Sequence, residues 1–167
     1  SQLSTGSIID PDLYQITISD AVETGLPTVV VMASPAFCTN AVCGPQVEVL
    51  QELKDEFEGR ANFIHVDFYD NPEEIQGDLD RARISPTVLE WNLPSTEWSF
   101  VMDRQGIIVG RFESFTTLEE LRAVLEAVLE ETRGVTLRSL EPDATSRTCP
   151  RTPPMPRAQG RTASQAC

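Results

Sequence analysis

The stretch that decides the fold lies between residues 28 and 46, and its sequence is Thr28-Val-Val-Val-Met-Ala33, Ser34-Pro-Ala-Phe-Cys38, Thr39-Asn-Ala-Val-Cys43 and Gly44-Pro45-Gln46. The first part is a run of apolar residues without polar alternation, which is typical of a strand buried on both faces of a parallel or mixed sheet. Pro45 suits the first turn of a helix, because the missing N–H has no helical partner there. The stretch therefore predicts a buried strand that leads into a helix, with two cysteines at the junction.

Hydrophobic periodicity and turn residues on both sides of this stretch predict the other elements. Asp103-Arg-Gln-Gly106 is typical of a hairpin turn, and Thr117-Leu-Glu-Glu120 is a helix capping box. The predicted elements, in chain order, are an edge strand over 13–18, a helix over 20–24, strand 28–32, a helix from Pro45 to about Gly59, strand 61–68, a helix within 72–91, strands 98–102 and 107–112, and a helix from 117 to about 132. The order is therefore β-α-β-α-β-α-β-β-α, which indicates an α/β fold.

The composition excludes several classes of protein. The net charge of −13 disfavours nucleic acid as a partner, because that affinity comes largely from Lys and Arg neutralising phosphates. The longest apolar run, 29–33, is far shorter than the roughly 20 residues that a membrane-spanning helix needs. Four cysteines in 167 residues are too few for a small protein held together by disulfides.

The charge is unevenly distributed along the chain. The segment from Arg133 onward carries six arginines against Glu141 and Asp143, and it holds five of the twelve prolines. Such a segment buries too little surface to offset its ordering entropy. We therefore predict an N-terminal extension over 1–12, one domain over 13–132 and a disordered tail over 133–167, in which Cys149 and Cys167 have no assigned chemistry.

The element order, together with Cys43-Gly44-Pro45 and the segment Trp91-Asn-Leu-Pro-Ser95, resembles the thioredoxin fold, and in particular the extracytoplasmic bacterial thioredoxin-like proteins. This resemblance implies a central mixed sheet flanked by helices and thiol–disulfide exchange with protein thiols and disulfides. It implies no cofactor and no metal. It also implies a monomer located at the cell surface or in the periplasm, with a possible membrane tether through an N-terminal segment that precedes this sequence.

The cysteines depart from the Cys-x-x-Cys pattern of thioredoxins, because Gln46 stands where the resolving cysteine would be. The partner of Cys43, if there is one, is Cys38, and four intervening residues can form a turn that brings the two Cα atoms within about 4.4–6.8 Å. Three interpretations remain open: a redox-active pair, a permanent structural disulfide in a non-catalytic binding module, and two unpaired cysteines. In the redox interpretation Cys43, at the helix start, is the catalytic nucleophile and Cys38 resolves the mixed disulfide.

The resemblance also predicts a substrate groove. Glu97 stands at the position of the family's cis-proline, with Thr96 before it, and we expect a trans bond there because a non-proline cis bond costs about 2.5–4 kcal/mol. A carboxylate facing the thiols disfavours thiolate formation. We therefore expect a specialised or weakened relative of thioredoxin. The predicted groove residues are Gly44, Pro45, Gln46, Thr96, Glu97 and Trp98.

Two other chemistries of similar folds fit the cysteine loop less well. Cu(I) binding would need a histidine beside the two cysteines, and the chain's single histidine, His65, lies in the middle of a predicted strand. A peroxidase of the Pro-x-x-x-Thr-x-x-Cys type would match Pro35 and Thr39, but it would need a cysteine where Val42 stands.

Overall fold

The computed structural model describes residues 10–38 and 41–139. Its strands are β1 (Thr28–Ala33), β2 (Asn62–Val66), β3 (Glu97–Met102) and β4 (Ile108–Glu113). Its α-helices are α1 (Ile18–Glu23), α2 (Cys43–Glu56), α3 (Pro72–Ile75), α4 (Pro86–Glu90) and α5 (Leu118–Ser139), and two 3-10 turns cover Pro11–Tyr14 and Leu79–Arg81.

The four strands form one mixed sheet in the order β2-β1-β3-β4. Strand β1 pairs in parallel with β2 and antiparallel with β3, and β3 pairs antiparallel with β4. The register places Ala33, the last residue of β1, opposite Glu97, the first residue of β3. The segment that carries the cysteines therefore begins beside Glu97, where β1 ends.

Strand β1 is buried along its whole length, as its unbroken apolar sequence predicts. Its side chains alternate between the two faces, as in any strand. Val29, Val31 and Ala33 belong to a core cluster that includes residues of α2 and α5. Val30 and Met32 belong to a second cluster on the other face, which includes residues of α1 and α4. The helices thus cover both faces of the sheet.

The hairpin turn and the last capping box form as predicted. The Asp103 carboxylate accepts hydrogen bonds from the backbone N–H groups of Gln105 and Ile107, each at 2.9 Å, and Gly106 takes a left-handed φ of 78°. At the start of α5, the Thr117 hydroxyl accepts from the Glu120 N–H while the Glu120 carboxylate accepts from the Thr117 N–H.

The predicted edge strand over 13–18 is wrong. Asp10 caps a 3-10 turn that begins at Pro11, and Thr17 caps α1 through a reciprocal bond with Asp20. Within this stretch the Leu13 N–H donates to the Asp10 carbonyl and the Thr17 N–H donates to the Asp20 carboxylate. Such local bonds compete with strand pairing, and the alternation of Leu-Tyr-Gln-Ile-Thr-Ile does not produce a strand. The described part of the sheet consequently has four strands and not five.

The segment 72–91, where a helix interrupted by Pro86 is predicted, contains two short helices. Pro72 and Pro86 each begin a separate short helix, and left-handed conformations at Gln76 and Gly77 end the first one. Helix α5 runs past its predicted end near 132 to Ser139, so the first part of the predicted tail is helical. Residues 1–9 and 140–167, including Cys149 and Cys167, lie outside the described residues, and the division into domain and tail stays a prediction.

Candidate active site

The two cysteines lie between the carboxyl end of β1 and the first turn of α2. Cys43 is the first residue of α2, and Cys38 belongs to the segment that connects the strand to the helix. They form a disulfide with their Cα atoms 6.0 Å apart, inside the range expected from the sequence. The interpretation in which the two cysteines are unpaired is therefore wrong.

The two sulfur-bearing residues differ in accessibility. Cys43 is 0% exposed and belongs to the core cluster that joins β1, α2 and α5, whereas Cys38 is partly exposed and packs against the same cluster. The N-terminus of α2 has no side-chain cap among the residues that the structure describes. Its first N–H groups therefore provide partial positive charge close to Cys43. A molecule approaching from solvent reaches Cys38 first, while the helix favours negative charge on Cys43.

Glu97 places a carboxyl group beside the disulfide. Its side chain is 2% exposed, and one carboxylate oxygen and the two Sγ atoms of Cys38 and Cys43 all lie within 4.8 Å of one another. Within the described residues, neither carboxylate oxygen has a hydrogen-bond partner. Burial raises the pKa of this carboxyl group, because the charged form loses hydration that nothing replaces. The sequence-based expectation of a carboxyl group facing the sulfurs agrees with this geometry.

The backbone just before Glu97 also contacts the disulfide. The carbonyl oxygen of Thr96 lies 3.9 Å from the Sγ of Cys43, and the Thr96 side chain is partly buried. The peptide bond between these two residues is trans, as expected from the cost of a non-proline cis bond. In a reduced state, the thiol of Cys43 has this carbonyl as an acceptor.

Three of the predicted groove residues form the first turn of α2. Pro45 is exposed and Gly44 is partly exposed, with open space where a Cβ of Gly44 would stand. Gln46 is fully buried, and its Oε1 accepts a hydrogen bond of 2.7 Å from the backbone N–H of Thr116. Gly44 and Pro45 can therefore line a surface beside Cys38, whereas Gln46 connects α2 to the segment that precedes α5.

The structure does not bring Trp98 to the disulfide. Its side chain is 5% exposed and belongs to the cluster on the opposite face of the sheet, stacked on Phe100 with ring centroids 6.1 Å apart. Trp91 packs edge-on against the same phenylalanine. The guanidinium of Arg111 covers the Trp98 ring at 4.5 Å from its centroid. Both tryptophans thus support the core that holds β3 in place.

His65 lies apart from the cysteine pair and has two hydrogen bonds. Its Nε2 is 3.0 Å from the carbonyl oxygen of Ala33, and its Nδ1 is 2.6 Å from the hydroxyl of Tyr14. Since a carbonyl can only accept, Nε2 carries the proton and Tyr14 donates to Nδ1. Burial lowers the pKa of this imidazole. The cluster of potential metal ligands found in the described residues contains Glu97 and not His65, so the ligand set of two cysteines and a histidine is not assembled.

Sequence reasoning missed two features of this region. One is the unequal burial of the two sulfurs, which depends on how α2 packs and has no signal in the sequence. The other is a cavity of about 640 Å³ beside β2, and its lining includes Tyr14, His65 and Asp67. In the described part of the chain, no helix is long and apolar enough to cross a membrane.

Comparison with known proteins yields likenesses of structure alone, since no protein-family model and no curated protein matches this chain. A crystal structure described as a thiol:disulfide interchange protein DsbE from Chlorobium tepidum matches with a TM-score of 0.53 and 14% identity, over 68% of this chain and 86% of that one. A solution structure of a thioredoxin-like protein in the oxidised form matches with a TM-score of 0.54 and 13% identity, over 77% and 96%. The predicted thioredoxin-like fold is confirmed.

Proposed function

We propose that this protein performs thiol–disulfide exchange with protein thiols and disulfides at the Cys38–Cys43 pair. The observation that carries the proposal is the disulfide itself, which joins one accessible sulfur to one buried sulfur at the N-terminus of α2. This arrangement suits exchange, because one sulfur can be attacked while the other leaves as a stabilised thiolate. The match to a structure described as a thiol:disulfide interchange protein supports the same assignment.

In the oxidised protein, a substrate thiolate attacks the Sγ of Cys38 and forms a mixed disulfide, while the bonding electron pair of the old disulfide moves to the Sγ of Cys43. The N–H groups at the start of α2 stabilise this thiolate, and it takes a proton from the neighbouring Glu97 carboxyl group or from water. A second substrate thiolate then attacks the substrate sulfur of the mixed disulfide. The products are an oxidised substrate and a protein dithiol.

The reverse sequence reduces a substrate disulfide. There the thiolate of Cys38 attacks the substrate, and Cys43 resolves the mixed disulfide after losing its proton. The sequence alone favoured Cys43 as the nucleophile and Cys38 as the resolving residue. We propose the opposite order, because Cys43 is fully buried and a protein substrate meets Cys38 first.

Substrate docking would use the surface around Cys38, where Gly44, Pro45 and the backbone of Thr96 lie close to the disulfide. We further propose a location outside the cytoplasm, as a monomer tethered to the membrane by a segment preceding this sequence. This location follows from the resemblance of the sequence to the extracytoplasmic thioredoxin-like proteins.

The test is the reduction of insulin by dithiothreitol, followed by the turbidity of the precipitating B chain. The protein should accelerate this reaction, and Cys38→Ser and Cys43→Ser should each abolish the acceleration. Cys149→Ser is the matched control, since it removes a cysteine with no assigned chemistry, and it should retain full activity. A Cys38→Ser variant that keeps the wild-type rate would contradict the proposal.

A second candidate function is a non-catalytic binding module in which the disulfide is structural. The complete burial of Cys43 and the carboxyl group beside it favour this alternative, since both disfavour a thiolate. Equilibration with millimolar glutathione separates the two. Structural disulfides have potentials below about −300 mV and resist this reductant, whereas catalytic ones are reduced. Counting free thiols with a maleimide probe after quenching gives the answer.

A further inference from the structure

We infer that the reduced protein has a zinc site formed by Cys38, Cys43 and Glu97. This inference goes beyond disulfide exchange, because the two sulfurs bind a metal and are not oxidised. It rests on the proposed function in one respect, which is that the dithiol state must be reachable in the folded protein. It also departs from the sequence-based expectation that the chain has no metal site.

The spacing of the three side chains suits a single ion. Zn²⁺ binds thiolate sulfur at about 2.3 Å and carboxylate oxygen at about 2.0–2.2 Å in tetrahedral geometry, which places neighbouring ligand atoms about 3.5–3.8 Å apart. The two Sγ atoms and one Glu97 oxygen already lie within 4.8 Å of one another. When the disulfide opens, the sulfurs must separate by a small displacement to reach this spacing.

The burial of Glu97 also favours a bound cation. Its carboxyl group is 2% exposed, and none of the described residues offers a hydrogen bond to either oxygen. A buried polar group without a partner is costly, and a buried anion is retained where it is paired or binds a metal. Strand register fixes this side chain toward the cysteines, because Glu97 pairs with Ala33 at the end of β1. A cation between the three groups would satisfy an oxygen that is otherwise orphaned.

The ligand types select the metal. Two thiolates disfavour the hard cations Mg²⁺ and Ca²⁺, and a carboxylate is a poor ligand for Cu(I), whereas Zn²⁺ accepts sulfur and oxygen together. The imidazole of His65 is not available, because both its nitrogens are hydrogen-bonded to other groups. Three protein ligands leave a fourth position open. This position would face the partly exposed side of the site at Cys38, where water or an external thiol can enter.

Binding would depend on the redox state. In the disulfide, the two sulfurs share a covalent bond and neither is a thiolate, so no zinc is held. In the dithiol, Zn²⁺ displaces one proton from each of the two thiols, the protons pass to water, and two Zn–S bonds form. No change of oxidation state takes place in this step. Bound zinc would occupy the sulfur atoms that exchange requires, so it would also inhibit disulfide exchange.

The experiment uses Co²⁺ as a spectroscopic probe and Zn²⁺ as its competitor, on the full chain. The protein is reduced with a water-soluble phosphine, which is then removed under argon. We expect one Co²⁺ per chain with a thiolate-to-cobalt charge-transfer band and tetrahedral visible bands, which Zn²⁺ abolishes. The air-oxidised protein should show neither band. Cys38→Ser should lose the charge-transfer intensity of one sulfur and most of the affinity.

Glu97→Gln tests the third ligand, since it keeps the shape of the side chain and removes its charge. We expect the Zn²⁺ affinity to fall at least about 10-fold, whereas Glu48→Gln, an exposed carboxylate on α2, should bind as the wild type does. An unchanged affinity in Glu97→Gln would overturn the site, and so would the absence of a charge-transfer band in the reduced wild type.

Insulin reduction measured in parallel with excess EDTA distinguishes the two proposals. If the reduced protein does not bind Co²⁺ but accelerates insulin reduction, the zinc site is wrong and the proposed function stands. If it binds Co²⁺ and Zn²⁺ but does not accelerate insulin reduction, the zinc site stands and the proposed function is wrong. A disulfide that the phosphine leaves unreduced in the folded protein would overturn both.

Discussion

Replacing Glu97 by Gln should change how the stability of the oxidised protein depends on pH. The carboxyl group is 2% exposed and lacks a hydrogen-bond partner in the described part of the chain, so burial raises its pKa in the folded state above the unfolded value of about 4.3. Between these two pKa values, the folded protein holds one proton more than the unfolded chain. The free energy of unfolding contributed by Glu97 is therefore complete at low pH and decreases as the pH rises.

The magnitude follows from linkage. Each unit by which the folded pKa exceeds the unfolded one costs the wild type about 1.4 kcal/mol of stability at a pH above both values. In Glu97→Gln the amide side chain has nearly the same shape as the carboxyl side chain, and it does not titrate. The stability of the variant minus that of the wild type should thus increase with pH, with a slope of up to about 1.4 kcal/mol per pH unit above about pH 4.3.

Urea unfolding followed by circular dichroism, from about pH 4 to about pH 8, measures this difference directly. The disulfide stays intact throughout, so Cys38 and Cys43 do not titrate. The Glu48→Gln variant, at an exposed position of α2, is the control for the loss of one carboxyl group. A difference between Glu97→Gln and wild type that is constant or decreases with pH would refute the reasoning, because it would mean that the buried carboxylate is stabilised.

Three further predictions concern the fold around the site. Tyr14→Phe removes the 2.6 Å hydrogen bond to buried His65, and we expect the free energy of unfolding in urea at neutral pH to fall by about 1–3 kcal/mol. A decrease of less than about 0.5 kcal/mol would contradict this expectation. Folding lowers the pKa of His65, so the folded protein binds fewer protons than the unfolded chain below about pH 6.5. The free energy of unfolding of the wild type should therefore fall relative to that of His65→Gln as the pH decreases, by up to about 1.4 kcal/mol per pH unit. Parallel curves of unfolding free energy against pH would contradict this. Leu50→Ala, at a fully buried position of α2, should cost about 2–5 kcal/mol in chemical unfolding, and a near-neutral effect would exclude the packing described for α2.

The elements that position the site could be predicted because their patterns agree with their environment. Strand β1 has an unbroken apolar sequence and is buried on both faces, and Pro45 lies in the first turn of a helix. The edge strand over 13–18 failed because caps at Asp10 and Thr17 compete with strand pairing. Its alternation is short, and such a pattern cannot distinguish an edge strand from a turn followed by a helix.

Strand alternation in the sequence could have corrected one of the groove residues that the resemblance predicts. Glu97 and Trp98 were both expected beside the cysteines, yet neighbouring side chains in a strand point to opposite faces of the sheet. Once Glu97 faces the disulfide, Trp98 has to pack on the other face, where it stacks on Phe100. The burial of Cys43 could not be predicted in this way, because it depends on the packing of α2 against α5.

The buried amide of Gln46 has a consequence for engineering a conventional redox motif into this protein. Changing Gln46 to Cys would create Cys-Gly-Pro-Cys in one step, but it would also break the bond between Oε1 and the backbone N–H of Thr116, which is 2% exposed. That N–H belongs to the segment that sets the start of α5, 70 positions along the chain. A designer who introduces Gln46→Cys into this scaffold must therefore supply another acceptor for the backbone N–H of Thr116.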